Sequence, residues 1–522
     1  MKHAYLLPLL AGSLALACSP QPETSQQSPQ GAASQWPNAV HYEIFVQSFA
    51  DSNGDGIGDL RGLTSKLDYL QDLGIKGVWL MPIHPSPSYH KYDVTDYYGI
   101  HPDYGSMDDF KTLLREAHQR DIKIIIDLVI NHSGKDHPWF QDAITGPDAR
   151  YRDYYVWANY DSVASQLARK TVSLDSDNLT QWHEAPGNEQ RYYGFFWGGM
   201  PDLNFDNPAL KEEIFKVGRY WLQEIGVDGF RLDAARHIFP DDRPQDNHAF
   251  WVEFRQEMEK AKPDVFLVGE VWTPAHEAAP YLKGLHSLFN FDLGYAITRA
   301  VQSGQADSLV EEHQQIMRFY QSVTPDYIDA TFLTNHDQNR IISELGGDIA
   351  KAKVAASLLL TLPGSPFLYY GEEIGMPGKK PDPNIREPFL WNLPDEDNIR
   401  TSWITPEYAL DRRVRPLSLQ QQDSASLYHH YRRLIHARNS SPVLALGSLR
   451  QADTRQAGVV SFVREHKGQQ LLVLHNITPQ PVSVALSETE KGFGRTQLAT
   501  ADGALLAEGI VNLPPYTSLI LE

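Results

Sequence analysis

The sequence has almost no cysteine and no excess of basic residues. Its 522 residues include a single cysteine, which excludes a framework of disulfide bonds. Lys and Arg number 46 against 66 Asp and Glu, so the formal net charge is −20. Binding to phosphates requires clustered positive charge. We therefore expect no nucleic-acid partner and no direct attraction to an anionic membrane surface.

The N-terminal apolar run, residues 4–17, is too short to form a mature transmembrane helix. It follows a basic start and ends in Leu-Ala-Leu-Ala before Cys18, which resembles a bacterial lipoprotein signal (residues 1–17) with Cys18 as the lipidated residue. Ser19 favours the outer membrane of a Gram-negative cell by the same resemblance. The Ser-, Gln- and Pro-rich residues 18–35 predict a flexible tether. The alternative is a plain secretory signal and a soluble periplasmic or secreted protein. Either way we expect export, with membrane contact only through a lipid anchor.

Four apolar runs end in acidic residues. The runs are Ile124–Ile126, Gly229–Leu232, Val265–Val268 and Ala330–Leu333, and the acids that follow are Asp127, Asp233, Glu270 and Asp337. Continuous apolar runs are typical of parallel strands, because both faces of the sheet are covered. Amphipathic helical patterns at 108–119, 208–224 and 248–261 precede three of the runs and indicate βα units. In a (β/α)8 barrel the carboxyl ends of such strands converge on one pocket, where these barrels place their chemistry.

The segments around these acids resemble the signature regions of the α-amylase family of glycoside hydrolases, family 13. They occur in order as GVWLMPIHPS (77–86), DLVINH (127–132), MPDLN (200–204), GFRLDAARH (229–237), GEVW (269–272), NHD (335–337) and GSPFLYYGEE (364–373). The resemblance implies an α/β fold: a TIM barrel (36–132 and 205–440) with an inserted domain B (133–204). Alternating strand patterns also predict a C-terminal antiparallel β-sandwich, domain C (441–522).

The resemblance implies the roles of three carboxyl groups. Asp233 is the nucleophile, Glu270 the general acid/base, and Asp337 the carboxylate that stabilises the transition state at the sugar ring. A retaining glycosidase needs two carboxyl groups about 5–5.5 Å apart. Arg231 lies two residues before Asp233 and so points to the same side of a strand, where we expect its cation to keep Asp233 ionised. Glu270, close to other acids and an apolar strand, is expected to stay protonated to higher pH.

Further residues match substrate contacts of the family. They are Tyr92, Asp127, His132, Arg231, Arg236, His237, His336 and Arg340. The resemblance implies that His132 and His336 hydrogen-bond sugar hydroxyls, that Tyr92 stacks on a sugar ring, and that Arg340 holds Asp337 in place. For each residue the alternative is an ordinary buried polar side chain with its hydrogen bonds satisfied.

An acidic loop, residues 51–59 (DSNGDGIGD), forms a separate constellation. It places oxygen ligands at alternate positions around glycines, as loops that bind a hard cation such as calcium do. It is not an EF-hand, because Gly62 stands where a bidentate Glu is required. The alternative is a loop of Asx turns without metal. The resemblance implies calcium bound by Asp51, Asn53, Asp55, Asp59 and the carbonyl of Ile57.

A second calcium site occurs in many α-amylases. Its ligands match Asn131, Asp202 and the carbonyl of His237. Members of the family with the glycine-rich loop often lack this second site, so the sequence leaves it open.

The implied activity is retaining hydrolysis of internal α-1,4-glucosidic bonds of starch, glycogen and maltooligosaccharides. The Arg236-His237 ending after the nucleophile favours α-amylase, since members that cleave α-1,6 bonds usually have Val directly after it. MPDLN resembles the group between oligo-1,6-glucosidases and neopullulanases, so an enzyme of those types or a transglycosylating enzyme is the alternative. A non-catalytic glucan-binding protein is a second alternative, against which the three intact acids argue. We expect a monomer whose partner is an α-glucan.

Overall fold

Eight parallel strands form one closed sheet among the residues that the computed structural model describes, which are Met1 and residues 36–167, 180–306 and 308–522. The barrel strands are His41–Ile44, Gly77–Leu80, Lys123–Leu128, Gly229–Leu232, Phe266–Gly269, Ser287–Phe289, Ile328–Ala330 and Phe367–Tyr369. Each strand pairs with the next along the chain up to the seventh, and the eighth pairs with the first. A parallel bridge between Phe332 and Phe367 closes the ring. The predicted TIM barrel is confirmed.

Bulky apolar side chains fill the barrel interior. The buried cluster inside it contains Trp79, Ile125, Phe266, Val268, Phe289, Phe291, Ala330, Phe332 and Phe367. Alternate residues of a strand point to the same side. Asp127 therefore shares the interior side with Ile125, and Glu270 shares it with Val268. Asp127 and Glu270 each lie two residues beyond these apolar side chains, towards the carboxyl ends of the strands.

The described helices include those that cover the outer face of the barrel, together with Pro138–Ala143 and Tyr160–Leu167 in domain B and Pro442–Leu446 at the start of domain C. The longer ones are Met107–Gln119, Pro208–Arg219, Pro244–Ala261, Phe291–Ser303, Leu309–Gln321, Ile349–Thr361 and Leu427–Ser440. The shorter ones are Val46–Phe49, Leu60–Ser65, Leu67–Leu73, Pro138–Ala143, Tyr160–Leu167, Ala275–Ala278, Ile341–Glu344, Asp382–Ile385, Leu417–Gln420 and Pro442–Leu446. Local sequence sets several of these boundaries. Ser106 and Asp109 form a capping box at the start of the helix Met107–Gln119.

The described part of domain B contains a three-stranded antiparallel sheet. Its strands are Trp157–Asn159, Trp182–Glu184 and Gln190–Tyr193. Aromatic rings form its core, with Phe140 packing against Tyr155 and Tyr192 at centroid distances of 4.9 Å. An antiparallel bridge between His132 and Asp202 holds the end of this excursion beside the third barrel strand. Domain B is thereby placed next to the carboxyl ends of the barrel strands.

Residues 448–521, all of which are described, form two antiparallel sheets. The five-stranded sheet contains Ser448–Gln451, Val459–His466, Gln469–Asn476, Thr496–Ala499 and Ser518–Leu521. The three-stranded sheet contains Val482–Ala485, Leu505–Ala507 and Ile510–Leu513. Val463, Leu472 and Leu519 of the first sheet share one buried cluster with Val511 and Leu513 of the second. This is the β-sandwich that the alternating pattern predicts.

Two buried arginines donate hydrogen bonds to carbonyl groups at the C-terminus of one barrel helix, Ile349–Thr361. Arg438, from the barrel helix Leu427–Ser440, donates to the carbonyls of Leu360 (2.8 Å) and Leu362 (2.9 Å). Arg464, from domain C, donates to the carbonyl of Thr361 and to that of Gly447 at 2.8 Å. The last carbonyls of a helix lack partners within the helix and carry partial negative charge, so cations are favourable there.

The predicted lipidation site, Cys18, and the predicted tether lie outside the described residues. Among the residues that are described, no helix has both the length and the apolar character needed to cross a bilayer.

Candidate active site

Three neighbouring barrel strands bring most of the predicted acids together. Asp127 and Arg231 are direct partners in the parallel register of the third and fourth strands. Arg231 is in turn the partner of Val268 in the fifth strand, two residues before Glu270. Asp233 follows the fourth strand, two residues after Arg231. The apolar runs therefore end at one place, as the sequence predicts for a barrel.

One buried cation contacts three carboxylates at this place. The Arg231 guanidinium lies 2.5 Å from Asp233 Oδ1, 2.9 Å from Glu270 Oε1 and 3.0 Å from both oxygens of Asp127. The Arg231 side chain is 1% exposed. A guanidinium presents several N–H groups in a rigid planar array, which suits it to hold several carboxylates at once. Asp233 and Glu270 are therefore held on one side chain, and Arg231 contacts Asp233 as the sequence predicts.

Glu270 lies in an environment that favours the protonated acid. Burial raises the pKa of Glu270 to about 7, although the Arg231 cation opposes the rise and the neighbouring Asp233 and Asp337 add to it. Its Oε2 also accepts a hydrogen bond from the backbone N–H of Ala234 at 3.1 Å. Near neutral pH, Glu270 can therefore hold a proton and release it.

Asp337 lies in the opposite environment. Burial raises its pKa, but the His336 charge and hydrogen bond and the Arg386 charge outweigh burial and hold the pKa of Asp337 well below its usual range. His336 Nε2 lies 3.0 Å from Asp337 Oδ2, and Arg386 Nη2 donates to Asp337 Oδ1 at 2.8 Å. Asp337 is therefore an ionised carboxylate with a fixed orientation.

His336 is held as a cation between two carboxylates. Burial lowers its pKa, but Asp337 and Glu43 outweigh burial and raise the pKa of His336 to about 10. Its Nδ1 lies 2.5 Å from Glu43 Oε1, and its Nε2 lies 2.7 Å from the hydroxyl of Tyr92. Tyr92 in turn donates to Asp127 at 3.1 Å. The polar groups under the site thus form one connected network.

The resemblance implies that Arg340 holds Asp337 in place, but the structure shows no direct contact between these two described side chains. Arg340 donates instead to the backbone carbonyls of Tyr370 (2.7 Å) and Ile385 (2.9 Å). Arg386 makes the ion pair to Asp337. The reason is geometric, because the chain turns away after Asp337 and Arg340 starts the short helix Ile341–Glu344. Arg340 can act on Asp337 only through other residues.

A cavity of about 630 Å³ lies over the acids. The sequence-predicted residues that line it are Tyr92, His132, Asp233, Arg236, His237, Glu270 and Asp337. Domain B contributes Phe196, Trp197 and Met200 to one wall. The other four predicted substrate contacts, Asp127, Arg231, His336 and Arg340, are at most 2% exposed and lie behind this lining. Arg231 contacts Asp233 and Glu270, and His336 contacts Asp337, so these two buried residues support members of the lining.

Arg236 and His237, in the short turn Ala235–His237 that follows Asp233, lie on one rim of the cavity. Arg236 donates to the carbonyl of Trp272 (3.4 Å) and to Asp241 (3.1 Å). The ring of His237 stacks on Phe195 of domain B with a centroid distance of 4.0 Å. Contacts to the segment around Trp272 and to domain B therefore fix Arg236 and His237, respectively.

Several lining residues were not predicted from the sequence. These are His90, Ala234, Trp272, Lys380, Asp382 and Arg386. Trp272 follows Glu270 by two residues in GEVW, so strand alternation was a signal for it. Arg386 and Asp382 lie in PDPNIRE, a segment without apolar periodicity whose approach to Asp337 depends on tertiary structure.

The acidic loop is built around two buried carboxylates. The oxygens of Asp51 accept hydrogen bonds from the backbone N–H groups of Asn53, Gly54 and Gly56 at 2.7 to 3.0 Å. Asp59 accepts from Ser52 N at 2.8 Å and caps the helix Leu60–Ser65. In the part of the chain that the structure describes, no three His, Cys, Asp or Glu side chains form a metal-binding group. The loop therefore has the oxygen atoms of a calcium site but uses them for turns.

The remaining predicted ligands of this loop are closer to solvent. Asn53 Oδ1 accepts from Asp55 N at 2.9 Å, and Asp55 Oδ1 accepts from Ile57 N at 2.8 Å. The side chain of Ile57 packs against the hydrophobic core. These Asx turns hold the five predicted ligands within one short segment.

The residues that match the second calcium site of many α-amylases, which the sequence leaves open, also meet. Asn131 Nδ2 donates to the carbonyl of His237 at 2.5 Å, and the Asn131 side chain hydrogen-bonds Asp202. Burial raises the pKa of Asp202 to about 8. In this arrangement the three groups satisfy one another through hydrogen bonds.

Comparison with known proteins gives consistent matches. The chain matches the family model of the α-amylase catalytic domain over residues 43–447 and that of the C-terminal domain of the α-amylase SusG over residues 459–520. It is 44% identical to Alpha-amylase 3 of Dictyoglomus thermophilum over 440 residues, 84% of this chain and 85% of that protein. It is 35% identical to the 4-alpha-glucanotransferase of Thermotoga neapolitana over 444 residues, 84% of this chain and 96% of that protein.

A solved structure extends the similarity to three dimensions. The crystal structure of the α-amylase from H. orenii matches with a TM-score of 0.85 at 44% identity, covering 92% of this chain and 99% of that chain. The catalytic-domain model matches well over half of the chain. The chain therefore belongs to the α-amylase family of glycoside hydrolases.

Proposed function

We propose that this enzyme hydrolyses internal α-1,4-glucosidic bonds of starch, glycogen and maltooligosaccharides with retention of anomeric configuration. The supporting observation is that Arg231 contacts both Asp233 (2.5 Å) and Glu270 (2.9 Å) at the floor of the cavity. Retention requires two adjacent carboxyl groups, one ionised and one protonated. Arg231 lies directly beside Asp233, and burial raises the pKa of Glu270 to about 7, which favours its protonated form.

In the first half of the reaction, Asp233 acts as nucleophile. One of its carboxylate oxygens forms a bond to the anomeric carbon while the bond to the glycosidic oxygen breaks. Glu270 gives its proton to that oxygen, so the leaving chain departs with a free hydroxyl group. A glycosyl ester of Asp233 and an ionised Glu270 remain.

In the second half, Glu270 acts as base. It takes a proton from a water molecule, whose oxygen attacks the anomeric carbon and breaks the ester. Asp233 regains its negative charge and Glu270 its proton. Two inversions at the same carbon retain the configuration.

Asp337 is the third carboxylate of the proposed mechanism and stabilises the transition state. Its charge is maintained by His336 and Arg386. An ionised, oriented carboxylate can accept hydrogen bonds from sugar hydroxyls, which strengthen as positive charge develops on the ring. We propose that Tyr92, Phe196 and Trp197, which line the cavity, present aromatic faces to the sugar rings.

We propose that the acidic loop binds one structural calcium ion. The fit rests on the donor set, since carboxylate, amide and carbonyl oxygens are the ligands that calcium prefers. Asp51, Asn53, Asp55, Asp59 and the carbonyl of Ile57 would hold the ion. It would offset the mutual repulsion of three carboxylates within nine residues. The loop lies between the first barrel strand and the helix Leu60–Ser65 and contributes no residue to the cavity lining, so the ion would act on stability.

Transglycosylation is the second candidate function. The glycosyl ester reacts with a sugar hydroxyl instead of water when an acceptor chain occupies the leaving side. The similarity to a 4-alpha-glucanotransferase favours this outcome, as does an aromatic residue, Trp272, two positions after the acid/base. Neopullulanase-like or oligo-1,6-glucosidase-like side activity uses the same three acids.

A product profile tests the proposal. Purified enzyme with calcium is incubated with soluble starch, maltoheptaose, pullulan and isomaltose, and the first products are examined by NMR for their anomer. We expect short maltooligosaccharides in the α configuration from starch and maltoheptaose, with isomaltose intact. Products longer than maltoheptaose would identify a transferase, and panose from pullulan a neopullulanase. Asp233→Asn, which keeps the size of the side chain, serves as the inactive control.

A further inference from the structure

A groove with a volume of about 410 Å³ lies on the outer face of the barrel helix Leu427–Ser440. Its lining consists of Ser424, His429, Arg432, Arg433 and His436, and we call it the basic groove. All five side chains can donate hydrogen bonds, and the described lining contains no carboxylate and no apolar side chain. The groove shares no lining residue with the substrate cavity. It is a local excess of basic groups in a chain whose net charge is −20.

The spacing of the basic residues places them on one face of the helix. His429, Arg432, Arg433 and His436 stand at positions i, i+3, i+4 and i+7, which lie side by side on an α-helix. The residues that the helix buries occupy the other positions and are Leu427, Tyr428, His430, Tyr431, Leu434, Ile435 and Arg438. The helix therefore has a packed inner face and a basic outer face.

Contacts outside the groove hold three of the basic side chains in place. Arg432 donates to Asp72 Oδ1 at 2.7 Å and to Oδ2 at 2.9 Å, and His436 Nε2 donates to the Asp72 carbonyl at 2.8 Å. His429 Nε2 donates to the carbonyl of Gln421 at 2.9 Å. Because Nε2 carries a hydrogen in both imidazoles, Nδ1 can take up a second proton and donate to an anion. A ligand would meet groups whose orientation is already set, which lowers the cost of binding.

Arg433 supplies a positive charge that no neighbouring acid balances. Asp72 forms an ion pair with Arg432 at 2.7 Å. Arg433 makes no such pair in the part of the chain that the structure describes, and its side chain donates to the carbonyl of Thr500 at 3.3 Å. The Arg433 side chain is exposed, so its remaining N–H groups are open to a ligand from solvent.

A second cation, Lys353 of the helix Ile349–Thr361, lies close to Arg433. Burial, and after it the Arg433 charge, lower the pKa of Lys353, although Asp423 opposes this. Asp423 is itself paired with Arg415 at 2.6 Å. Two positive charges are thus held near each other, and a bound anion would offset their repulsion.

We propose that the basic groove binds a phosphate ester of a small polar molecule. A guanidinium presents parallel N–H groups that match two phosphate oxygens, and Arg433 and Arg432 supply two such groups. Sites for small molecules have volumes of about 300–1,000 Å³, so the groove can hold an ester as well as its phosphate. Since its lining contains no apolar side chain, the organic part should be rich in hydroxyl groups, as a sugar or glycerol is. A free ester and a lipid headgroup share this chemistry.

Calorimetric titration of the full-length wild-type chain tests the site. The ligands are inorganic phosphate, glucose 6-phosphate and glycerol 1-phosphate, each at an ionic strength fixed with sodium chloride. We expect one saturable site per chain, with both esters bound more tightly than inorganic phosphate and all three weakened by added salt. Glucose, which lacks a phosphate, measures any binding in the substrate cavity and serves as the reference. No saturable binding of any of the three phosphates would overturn the proposal.

Arg433→Gln tests which residues bind the phosphate. We expect this substitution to weaken the binding of glycerol 1-phosphate at least about tenfold, because the charge-assisted hydrogen bonds are lost. Arg413→Gln is the matched control, since Arg413 is also exposed, makes no ion pair among the described residues and donates to a carbonyl, that of Glu407, at 3.3 Å. It should bind as the wild type does. Unchanged affinity in Arg433→Gln, or equal losses in both variants, would overturn the assignment to the groove.

Vesicles distinguish a lipid headgroup from a free ester. Wild type and Arg433→Gln, which carry the same N-terminus, are mixed with phosphatidylcholine vesicles that contain or lack phosphatidylglycerol. Stronger binding of the wild type to the vesicles with phosphatidylglycerol alone would identify a headgroup as the ligand. Equal binding of both proteins to each vesicle, together with ester binding in solution, would identify a free ester. Equal vesicle binding without ester binding in solution would overturn the proposal, and none of these outcomes depends on catalytic activity.

Discussion

Arg231 sets the charge balance of the site at the residue scale. Its single positive charge faces three carboxylates, Asp127, Asp233 and Glu270, all within 3.0 Å. The Arg231 cation neutralises one of these negative charges. Each further ionised carboxylate costs free energy in a buried site, and a bound proton lowers that cost. Burial raises the pKa of both Asp127 and Glu270 to about 7, and of these two only Glu270 lines the cavity, where it can pass a proton to a substrate.

The first prediction is a loss of activity above neutral pH. Because burial raises the pKa of Glu270 to about 7, its acid form is present below that pH and is lost as the pH rises through it. We expect kcat/KM on maltoheptaose to fall above about pH 7. Glu270→Gln should lower kcat by about 10²–10⁴-fold, since the general acid is lost. A full pH profile of kcat/KM provides the measurement.

An activated substrate provides the control. The leaving group of such a glucoside departs without needing a proton. On this substrate Glu270→Gln should recover part of the rate of the first step. The wild-type enzyme should no longer lose kcat/KM for that step above about pH 7. A Glu270→Gln enzyme with wild-type activity on starch would refute the assignment.

The second prediction concerns Arg386. Its charge helps to keep the pKa of Asp337 low, so the ionised form of Asp337 persists above that pKa and is lost as pH falls through it. Arg386→Gln should raise the pKa of Asp337, shift the acidic limb of the pH profile to higher pH, and reduce kcat by about 10²–10³-fold. Arg400→Gln, which breaks ion pairs to Asp397 and Asp411 outside the cavity, is the matched control. Equal kinetic losses in both variants would argue against a specific role for Arg386.

Individual side chains differ in how far the sequence reveals them. Asp233, Glu270 and Asp337 stand in short motifs at strand ends, so their convergence follows from the barrel. Glu43 and Arg386 reach His336 and Asp337 from distant parts of the chain. No local pattern marks such contacts, which is why the sequence led to Arg340 instead of Arg386.

At the scale of elements, apolar runs predict which residues are buried more reliably than they predict which residues pair in a strand. The seventh barrel strand is Ile328–Ala330, whereas the sequence predicts Ala330–Leu333. Phe332 and Leu333 are buried beyond this strand, and Phe332 still forms the parallel bridge to Phe367. The helix predicted at 208–224 ends at Arg219 and continues as a π-helical turn, Tyr220–Ile225. The apolar residues Trp221, Leu222 and Ile225 of this turn are buried, so the pattern predicts their burial but not the change to i→i+5 hydrogen bonding.

The third prediction concerns the acidic loop. If it binds calcium, EDTA should lower the free energy of unfolding by roughly 2.7 kcal/mol relative to calcium at about 100 times its Kd. Magnesium should not replace calcium, because it requires a smaller octahedral site. Thermal unfolding with each cation provides the measurement.

Asp55→Asn tests the site itself. Asp55 is exposed, and asparagine preserves its hydrogen bond from Ile57 N. We expect this variant to match the wild type in EDTA but to gain less stability from calcium. Equal stabilisation of both proteins by calcium would place the ion elsewhere.

At the scale of the whole molecule, the fourth prediction concerns export. We propose that Cys18 carries a lipid anchor and that the enzyme resides in the outer membrane. The full chain should then fractionate with outer membranes and show a lipid-modified N-terminus by mass spectrometry. Cys18→Ala should abolish the modification and prevent maturation at that residue. Release of unmodified wild-type protein into the periplasm or medium would support the plain secretory signal.

The architecture of the molecule was largely accessible from the sequence. Alternating βα patterns predicted the barrel, and period-two patterns after residue 441 predicted domain C. The wall of the cavity was less accessible, because Phe196 and Trp197 line it while Tyr192 and Phe140 build the core of domain B. Composition alone does not show whether an aromatic residue lines the cavity or packs in the core of domain B.

The C-terminus of the helix Ile349–Thr361 receives hydrogen bonds from both the barrel and domain C, and this restricts how the enzyme can evolve. Arg438 of the barrel and Arg464 of domain C donate to carbonyls at the same helix terminus. Deleting domain C would leave the Thr361 carbonyl without its donor and uncover the surface around it. Domain C is therefore not a detachable module, and the two parts should melt in a single cooperative transition. Gene fusions or truncations near residue 447 should be selected against, even though every proposed catalytic residue lies in the barrel.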